Sequence, residues 1–408
     1  MTAPFKRFSR PQLEFRGWPK LDDEKASNSA LPESLSTSSA KPRFAFLGAG
    51  NLGQAHAAHM ALNGYDVTLG NRTEGKLKPL VDKDMTIELT GLITGKAKLT
   101  LVSGNFEEIM KNRDVIVVCS PAVGQKHLIN AILPYLQPRH HILLHPGNVF
   151  GALQARKTIT DYDAQLSTIT VSELESSILT CRSPSMGVVE IYAVKKQLGF
   201  ATLPSNRTDE VFKFFDPLYG ECLRKREHVL FTSFHDLNFV VHPIVTILNA
   251  GTIDRGAPFL FYKEGVTPYI ANLLEDADRE RIRVCAKLGF QAISLRDWFI
   301  LEYGTCGITN PSLYDLFTNN PAYDTLLSPP QLYTRYIWED IPDGLIPFLF
   351  LARQFNVQTP ILEAMYTLAT RIFKEDWMDE ARTLDNLNLS HLSLEQLLNF
   401  VKTCELPG

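Results

Sequence analysis

The sequence contains little cysteine, and its cysteines are scattered. Six cysteines occur without any C-x-x-C pair, at positions 119, 181, 222, 285, 306 and 404. This spacing favours neither a zinc site nor a disulfide framework, and we expect no bound metal. A reducing compartment, the cytoplasm, is the simplest expectation for such a chain.

The sequence also lacks a strong excess of charge and any long apolar run. It has 41 Lys and Arg against 45 Asp and Glu, a net charge of −4. We therefore expect neither nucleic-acid binding nor a polybasic membrane anchor. No apolar stretch approaches the roughly 20 residues needed to cross a bilayer. The length of 408 residues, with 45% apolar and 21% charged residues, is typical of a globular protein of two or three domains.

Residues 1–41 are polar and have no apolar periodicity. The stretch SNSALPESLSTSSA (27–40) is rich in serine, which is typical of a flexible tail. The tail has no apolar segment of the signal-peptide kind, and Asp22, Asp23 and Glu24 argue against a transit peptide.

From Arg43 the pattern changes to buried strands that alternate with helical segments. RFAFLGAG, YDVTLGNRT, DVIVVCSP (114–121) and HHILLHPGN (140–148) read as strands, and NLGQAHAAHMALNG reads as a helix that ends at Gly64. Such alternation predicts a doubly wound, mostly parallel α/β sheet of the Rossmann type. We assign it to residues 42–205, and the short strands of 169–205 complete it.

The second half, residues 206–408, is predicted to be all-α. Long amphipathic segments cover residues 208–227, 234–250, 268–289, 310–318 and 359–374. Thr267-Pro268 and Thr359-Pro360 each have the form of an N-cap followed by proline at the first helical position.

The stretch GAGNLG (48–53) follows a strand and opens a helix, as a dinucleotide-binding G-x-G-x-x-G loop requires. Gly48 permits the tight turn, Gly50 lets the backbone approach a pyrophosphate, and Gly53 lets the helix pack on the strand. The other residues assigned to the cofactor are Asn51 and Leu52 of the loop, Pro121 after a later strand, and Asn71 and Arg72. The alternative is a purely structural glycine turn.

The choice of nucleotide depends on the turn after the second strand. An NAD enzyme usually places Asp or Glu there for the ribose 2′-hydroxyl, but this chain has Asn71 and Arg72. A guanidinium can pair bidentately with a 2′-phosphate. NADP (as NADPH) is therefore favoured, with NAD as the other candidate. Alternatively, Arg72 stacks on the adenine or faces solvent.

The stretch NFVVHPIVTILNAG (238–251) is apolar except for one histidine placed before a proline. Pro243 suits the first turn of a helix and disfavours helical geometry in the preceding residue. We therefore expect His242 at the helix entrance, facing a cleft. A core histidine that bonds a backbone carbonyl is the alternative.

A second polar cluster lies in YTRYIWEDIP (333–342), where Arg335 and Asp340 stand five residues apart among aromatics. Each has an ordinary alternative role. Asp340 could cap a helix that begins at Ile341, and Arg335 could pair with Glu339.

Taken together, these stretches resemble the opine dehydrogenase family (octopine/nopaline dehydrogenase-like) over roughly residues 43–390. The resemblance is carried, in chain order, by GAGNLGQA (48–55), SPAVG (120–124), HPGNVFGA (145–152), SELESSILTCR (172–182), NFVVHPIVTILNAG, FYKEGVTPYIANLLEDADRERIRVCAKLG (261–289), RYIWEDIP (335–342) and VQTPILEAM (357–365).

The resemblance implies an enzyme that joins the amino group of an amino acid to a 2-oxo acid and reduces the imine with NAD(P)H. It implies an active site between a Rossmann domain and a helical domain. By motif match, His242 and Asp340 are the acid–base pair and Arg335 binds a substrate carboxylate. Asp343 departs from the family, which often has an aromatic residue there, and this leaves substrate size open.

The chemistry of the residues agrees with this assignment. Reductive amination needs a group that exchanges protons near neutral pH, and imidazole does so. A helix N-terminus disfavours imidazolium, whereas a carboxylate partner favours it and fixes the tautomer. Glu173, Glu175 and Asn238 are further candidates for the substrate pocket, and capping or surface roles are the alternative.

Two other functions stay open at the level of sequence. One is an NADP-linked hydroxy-acid or polyol-phosphate dehydrogenase that relies on a lysine, for which Lys263 is the candidate. The other is a non-catalytic NADP-sensing protein. The sequence does not distinguish a monomer from a homodimer, nor does it identify the amino acid or the 2-oxo acid.

Overall fold

The computed structural model describes residues 41–407. The predicted tail therefore lies outside the described residues, apart from Lys41. Within residues 41–407, no helix is long and apolar enough to cross a membrane.

The strands, in chain order, are β1 (Phe44–Leu47), β2 (Val67–Gly70), β3 (Thr86–Gly91), β4 (Gly95–Lys98), β5 (Leu101–Ser103), β6 (Val115–Val118), β7 (His141–Leu144), β8 (Thr170–Leu174), β9 (Leu179–Ser185), β10 (Val188–Val194), β11 (Leu198–Leu203) and β12 (Leu223–Lys225). Eight of them form one sheet in the order β12-β11-β8-β7-β6-β1-β2-β5. All neighbours pair in parallel except β8 and β11, which are antiparallel. The predicted mostly parallel Rossmann sheet is thus confirmed.

The helices, in chain order, are α1 (Asn51–Leu62), α2 (Lys78–Val81), α3 (Phe106–Met110), α4 (Ala122–Ile132), α5 (Gly151–Tyr162), α6 (Thr208–Phe212), α7 (Asp216–Tyr219), α8 (Val229–His235), α9 (Asn238–Leu248), α10 (Ala250–Asp254), α11 (Pro268–Lys287), α12 (Leu295–Tyr303), α13 (Leu313–Thr318), α14 (Arg335–Trp338), α15 (Ile346–Gln354), α16 (Pro360–Phe373) and α17 (Leu394–Thr403). A single π-helical turn, Ile341–Leu345, precedes α15.

The central strands are buried on both faces, which explains their unbroken apolar sequences. Alternate residues serve different cores because side chains of a strand point to opposite faces. Leu47 and Val118 belong to a core that extends into the helical half, where it includes Phe239. Phe46 and Val117 belong to the core on the other face. The sheet and the helical half therefore share one continuous apolar core.

A second sheet of four strands, in the order β4-β3-β10-β9, packs against α1. The sequence predicted short strands over residues 169–205, and all of these form. Only β8 and β11 join the main sheet, whereas β10 pairs with β9 and with β3 from an earlier part of the chain, and β3 pairs with β4.

The predicted domain boundary at residue 205 is too early. The segment 208–227 is not one helix but α6 and α7, followed by β12, which pairs with β11 at the edge of the main sheet. Pro217 begins a new helical turn and Gly220 ends it, so the apolar residues never build a continuous helix. The first domain therefore extends to about Lys225.

Beyond that residue the described chain is helical, as predicted. The helix expected at 268–289 runs from Pro268 to Lys287, and the side chain of Thr267 caps it by accepting the backbone N–H of Ile270. The helix expected at 359–374 also forms, but Thr359 makes no side-chain capping bond.

Candidate active site

The glycine loop joins β1 to α1, and packing requires two of its glycines. Gly48 has a positive φ of 105°, and a Cβ there would lie 2.2 Å from the carbonyl oxygen of Cys119. A Cβ on Gly53 would lie 1.8 Å from the carbonyl oxygen of Gly48. No other residue type fits these two positions.

Gly50 is different because, within residues 41–407, a Cβ there would meet nothing within 4 Å. The space that these residues leave beside its backbone is open, and Gly50, at the N-cap position of α1, makes no side-chain capping bond. Free backbone N–H groups at a helix N-terminus, beside an open glycine backbone, suit a pyrophosphate. Asn51 and Leu52 form the first turn of this helix, and the Asn51 side-chain oxygen accepts the backbone N–H of Ser183 at 3.2 Å. The loop therefore fits a dinucleotide.

Asn71 and Arg72 follow β2 at the same edge of the sheet. Asn71 supports the glycine loop, because its Oδ1 accepts the backbone N–H of Ala49 at 3.3 Å. Its side-chain amide also donates to the carbonyl of Thr73. Arg72 is exposed, and within residues 41–407 it has no hydrogen-bond or ion-pair partner. Pro121 is exposed after β6 and occupies the N-cap position of α4.

A cavity of about 290 Å³ lies between this sheet edge and the helical half. Glu175 and Ser176, which directly follow β8, form one side, and residues of α9, α12 and α14 form the other. Ligands of open α/β sheets bind beyond the carboxyl ends of the strands. The cavity therefore occupies the position expected for a substrate site.

His242 lines this cavity and bonds Asp340. The His242 Nδ1 lies 2.6 Å from Asp340 Oδ2, although the two residues are 98 positions apart in the chain. Both side chains are buried, and the ring of Tyr336 packs 4.2 Å from the imidazole, centre to centre. Since Nδ1 is engaged by Asp340, Nε2 is the nitrogen left to exchange a proton with a molecule in the cavity.

The expected position of His242 at a helix entrance is wrong. Pro243 lies inside α9, which begins at Asn238, so His242 is in the second helical turn. The helix starts early because Asp236 Oδ1 accepts the backbone N–H of Asn238 at 3.1 Å, ahead of the apolar run 239–241. The helix dipole is therefore not the main influence on the imidazole.

Burial is the largest influence on the charges of this pair. Burial, followed by the charge of Arg335, lowers the pKa of His242 to about 3. Burial also raises the pKa of Asp340 to about 7, against the opposing effect of Arg335. Burial thus disfavours the charged form of each group when it stands alone. Because the two groups are in contact, they titrate together and share one proton.

The alternative role of Asp340 as a helix cap is not observed. Asp340 occupies the residue before the π-helical turn, but its side chain makes no capping hydrogen bond there. Another carboxylate, Asp236, does line the cavity, whereas Asp340 is not among the described residues that line it. It accepts hydrogen bonds from Asn148 and from the backbone of Asn238. Burial and then the neighbouring Asp340 raise the pKa of Asp236 to about 7.

Arg335 does pair with Glu339, as the alternative interpretation allowed. Its Nε lies 3.2 Å from Glu339 Oε2, and the arginine side chain is half exposed. Glu339 Oε1 accepts the backbone N–H of Ala122 at 2.8 Å and so links α14 to the start of α4. Arg335 is not among the described residues that line the cavity, although its positive charge lowers the pKa of His242.

Asn238 and Glu173, the other proposed substrate contacts, occupy different surroundings. Asn238 lines the cavity. Glu173 is fully buried in β8 and is not among the described residues that line it. Its carboxylate accepts hydrogen bonds from the backbone of Ala152 and from the hydroxyls of Thr232 and Ser233. Glu173 therefore joins α5 to α8 instead of facing a substrate, whereas Glu175 does line the cavity.

Sequence reasoning missed several charged residues of this region. Arg182 and Lys195 line the cavity from β9 and from the residue after β10. Fully buried Arg382 pairs with Asp343 at 2.9 Å, which explains the acidic residue at that position. Lys263, the candidate catalytic lysine, pairs instead with Asp324 and does not line the cavity among the described residues.

Comparisons with known proteins agree with this geometry. The family model described as NAD/NADP octopine/nopaline dehydrogenase, alpha-helical domain, matches residues 225–373. The model described as ketopantoate reductase PanE/ApbA matches residues 44–176. The first match begins where the structure places the end of the sheet.

Relatives and solved structures cover most of the chain. The opine dehydrogenase of Arthrobacter sp. (strain 1C) is 33% identical over 350 residues, which are 86% of this chain and 96% of that protein. The octopine dehydrogenase of Pecten maximus is 25% identical over 314 residues, 71% of this chain and 77% of that protein.

A structure of octopine dehydrogenase with NADH and L-arginine has a TM-score of 0.75 at 20% identity, covering 88% of this chain and 98% of that one. An NADP⁺-bound yersinopine dehydrogenase has a TM-score of 0.69 at 14% identity, covering 89% and 98%. These two structures share the fold. On the strength of the 33% relative and the match of both domains, this chain belongs to the opine dehydrogenase family.

Proposed function

We propose that the chain condenses the amino group of an amino acid with a 2-oxo acid and reduces the resulting imine with NADPH. The observation that carries the proposal is the 2.6 Å contact of Asp340 with His242, which lines a cavity beyond the carboxyl edge of the sheet that carries the glycine loop. Family membership supports an NAD(P)-dependent oxidoreductase that acts on a CH–NH bond.

A bound dinucleotide supplies the hydride for this reaction. Gly50 and the first turn of α1 would hold its pyrophosphate, and the exposed Arg72 would pair with a 2′-phosphate. The absence of an acidic residue at positions 71 and 72 favours NADPH over NADH. The exposure of Arg72 and its lack of a partner within residues 41–407 support the same preference.

His242 would exchange the protons of the reaction. With Asp340 ionised, His242 Nδ1–H donates to the carboxylate, and Nε2 keeps a lone pair that can take a proton from the amine. Because burial lowers the pKa of His242, the imidazolium formed is acidic and returns its proton readily. Asp340 is a positioning residue that fixes the tautomer.

The carboxylate of the 2-oxo acid needs a cation near the reacting carbon. Arg335 is our candidate because its charge acts on His242, and a guanidinium can offer a carboxylate two parallel N–H groups. Asn238 lines the cavity and would bond a polar group of either substrate. We further expect a monomer or a homodimer located in the cytoplasm.

A matrix assay tests the proposal. Purified protein is mixed with amino acids and 2-oxo acids in all combinations, and oxidation of NADPH and of NADH is followed by absorbance. We expect turnover only when both substrates are present, and faster with NADPH. Oxidation with a 2-oxo acid alone would favour a hydroxy-acid dehydrogenase. Binding of NADPH without turnover in any mixture would favour a sensing protein.

A further inference from the structure

The substrate cavity contains a lysine that the reaction described above does not use. Lys195 follows β10, lines the cavity and is partly buried. Its Nζ donates to the hydroxyl of Ser176 at 2.8 Å and lies 5.4 Å from the ring centre of Trp298. The ammonium group of Lys195 therefore covers the face of the Trp298 ring inside the cavity.

Three carboxylates act on this internal cation. Burial lowers the pKa of Lys195, while Glu302, Glu175 and Asp236 all favour its charged form. Glu175 Oε2 packs against Gly199 of β11. The contact is so close that a Cβ added to Gly199 would lie 2.2 Å from this oxygen. Lys195 is thus a cation that the protein itself places among these carboxylates.

Another part of the cavity lining, which begins at Trp298 beside Lys195, is apolar and mostly aromatic. It is formed by Trp298, Phe299, Tyr303, Phe317, Tyr323 and Leu326. The rings pack on one another: the centres of Phe299 and Phe317, for example, lie 4.6 Å apart. The transfer of an apolar substrate group from water to such a wall is favourable in free energy.

We propose that Lys195 determines donor specificity by excluding amino acids with cationic side chains, so that the cavity takes donors with neutral, apolar side chains. This inference rests on the proposed function and names the substrate class of the same site. An ammonium or guanidinium of the donor would face the like charge of Lys195 and would find the Trp298 face occupied. An apolar side chain meets neither obstacle.

Matched donor pairs isolate the charge from size. L-norleucine and L-lysine differ by a terminal ammonium, and L-citrulline and L-arginine have nearly the same shape but differ in charge. Each donor is assayed with a 2-oxo acid and NADPH, and kcat/KM is compared within each pair. We expect the neutral member to be preferred by about tenfold or more, the scale of one like-charge repulsion in a partly buried site.

Variants assign this preference to the lysine. Lys195→Met keeps an unbranched side chain without the charge, and should reduce the norleucine-to-lysine ratio by about tenfold, because the donor's own cation can then lie over Trp298 beside the same carboxylates. Lys195→Arg keeps the charge and should keep the preference. Lys196→Met, at the exposed neighbouring lysine, is the matched control and should change neither ratio.

The outcomes separate this inference from the proposed function. If no pair of substrates oxidises NADPH or NADH, the proposed function itself fails. If the enzyme turns over but uses lysine as well as norleucine, only the role of Lys195 is overturned. An unchanged ratio in Lys195→Met would also overturn it, and so would an equal loss of activity with all donors. If Lys195→Met does not fold, Lys195→Arg and the two donor pairs in the unaltered enzyme still decide the question.

Discussion

Arg382 holds the two domains together through a fully buried guanidinium, and its removal should be strongly destabilising. Its side chain is 0% exposed and pairs with Asp343, which is 7% exposed. The guanidinium also donates to five acceptors of the sheet domain, which are the carbonyls of Ala122, Gly147 and Val149 and the side-chain oxygens of Gln125 and Gln154.

We expect Arg382→Met to lower the free energy of unfolding by about 3–5 kcal/mol near neutral pH, the usual cost of breaking a buried ion pair by removing one partner. The melting temperature should fall by roughly 6–10 °C, at about 2 °C per kcal/mol. The methionine fills most of the volume, so the main loss is the unpaired charge of Asp343 and the unsatisfied carbonyls.

The cost of Arg382→Met should depend on pH. Burial already raises the pKa of Asp343 to about 6 with Arg382 in place. Without the arginine this pKa rises further above the unfolded value. A carboxyl whose folded pKa is raised contributes stability at low pH that is lost as the pH increases. The variant should therefore be less destabilised at pH 5 than at pH 8.

Urea unfolding at pH 5 and pH 8 measures these differences. The proteins compared are the unaltered protein, Arg382→Met, Asp343→Asn and the double variant. The double variant should recover part of the loss, because it leaves no buried charge unpaired. A loss below about 1 kcal/mol, well under the range for a broken buried pair, would refute the reasoning. So would a double variant no more stable than Arg382→Met at pH 8.

Three further substitutions test other parts of the molecule. Arg72→Ala should raise the Michaelis constant for NADPH roughly 10- to 100-fold, since a hydrogen bond to a charged group contributes about 1.5–3 kcal/mol. The Michaelis constant for NADH should be nearly unchanged. An equal increase for both cofactors would contradict the preference for NADPH. Arg335→Lys should mainly raise the Michaelis constant of the 2-oxo acid, because an ammonium cannot make the two-pronged carboxylate contact; equal weakening of every substrate would argue otherwise. Burial raises the pKa of Glu173 to about 7. The free energy of unfolding of the unaltered protein should therefore fall by about 3 kcal/mol relative to that of Glu173→Gln as the pH rises from 4.5 to 7. Urea titrations that show the same difference between the two proteins at both pH values would exclude this.

The parts of the site that the sequence predicts are those that local rules determine. Gly48 and Gly53 are required by contacts within one turn of chain and its neighbouring strand, so the motif alone reveals them. The buried strands β1 and β6 are readable because a parallel sheet covered on both faces leaves only apolar residues. The pairing of His242 with Asp340 is predicted only by the family resemblance, since no local rule pairs residues so far apart in the chain.

The remaining features depend on contacts between distant segments. The small sheet joins β3 and β4 to strands about 100 residues later, and no periodicity shows that pairing. Arg382 and Lys195 look like surface residues in the sequence, because Arg and Lys are almost never fully buried unless paired. Their partners, Asp343 and Ser176, are visible only in three dimensions. Pro243 predicts a helix start, but α9 begins one turn earlier, where Asp236 accepts the backbone N–H of Asn238.

The most direct test of the catalytic pair is a double-mutant cycle in kcat on His242→Ala, Asp340→Asn and the double variant, with NADPH affinity measured by fluorescence titration. His242→Ala should lower turnover by roughly 10²–10⁴-fold with NADPH affinity preserved. Asp340→Asn should also lower turnover, and should shift the pH profile to lower pH because the loss of the carboxylate destabilises the imidazolium. The double variant should lose little beyond His242→Ala, because the two residues act as one unit. If the two losses simply multiply, the 2.6 Å contact does not carry the proton chemistry, and the assignment of this pair is wrong.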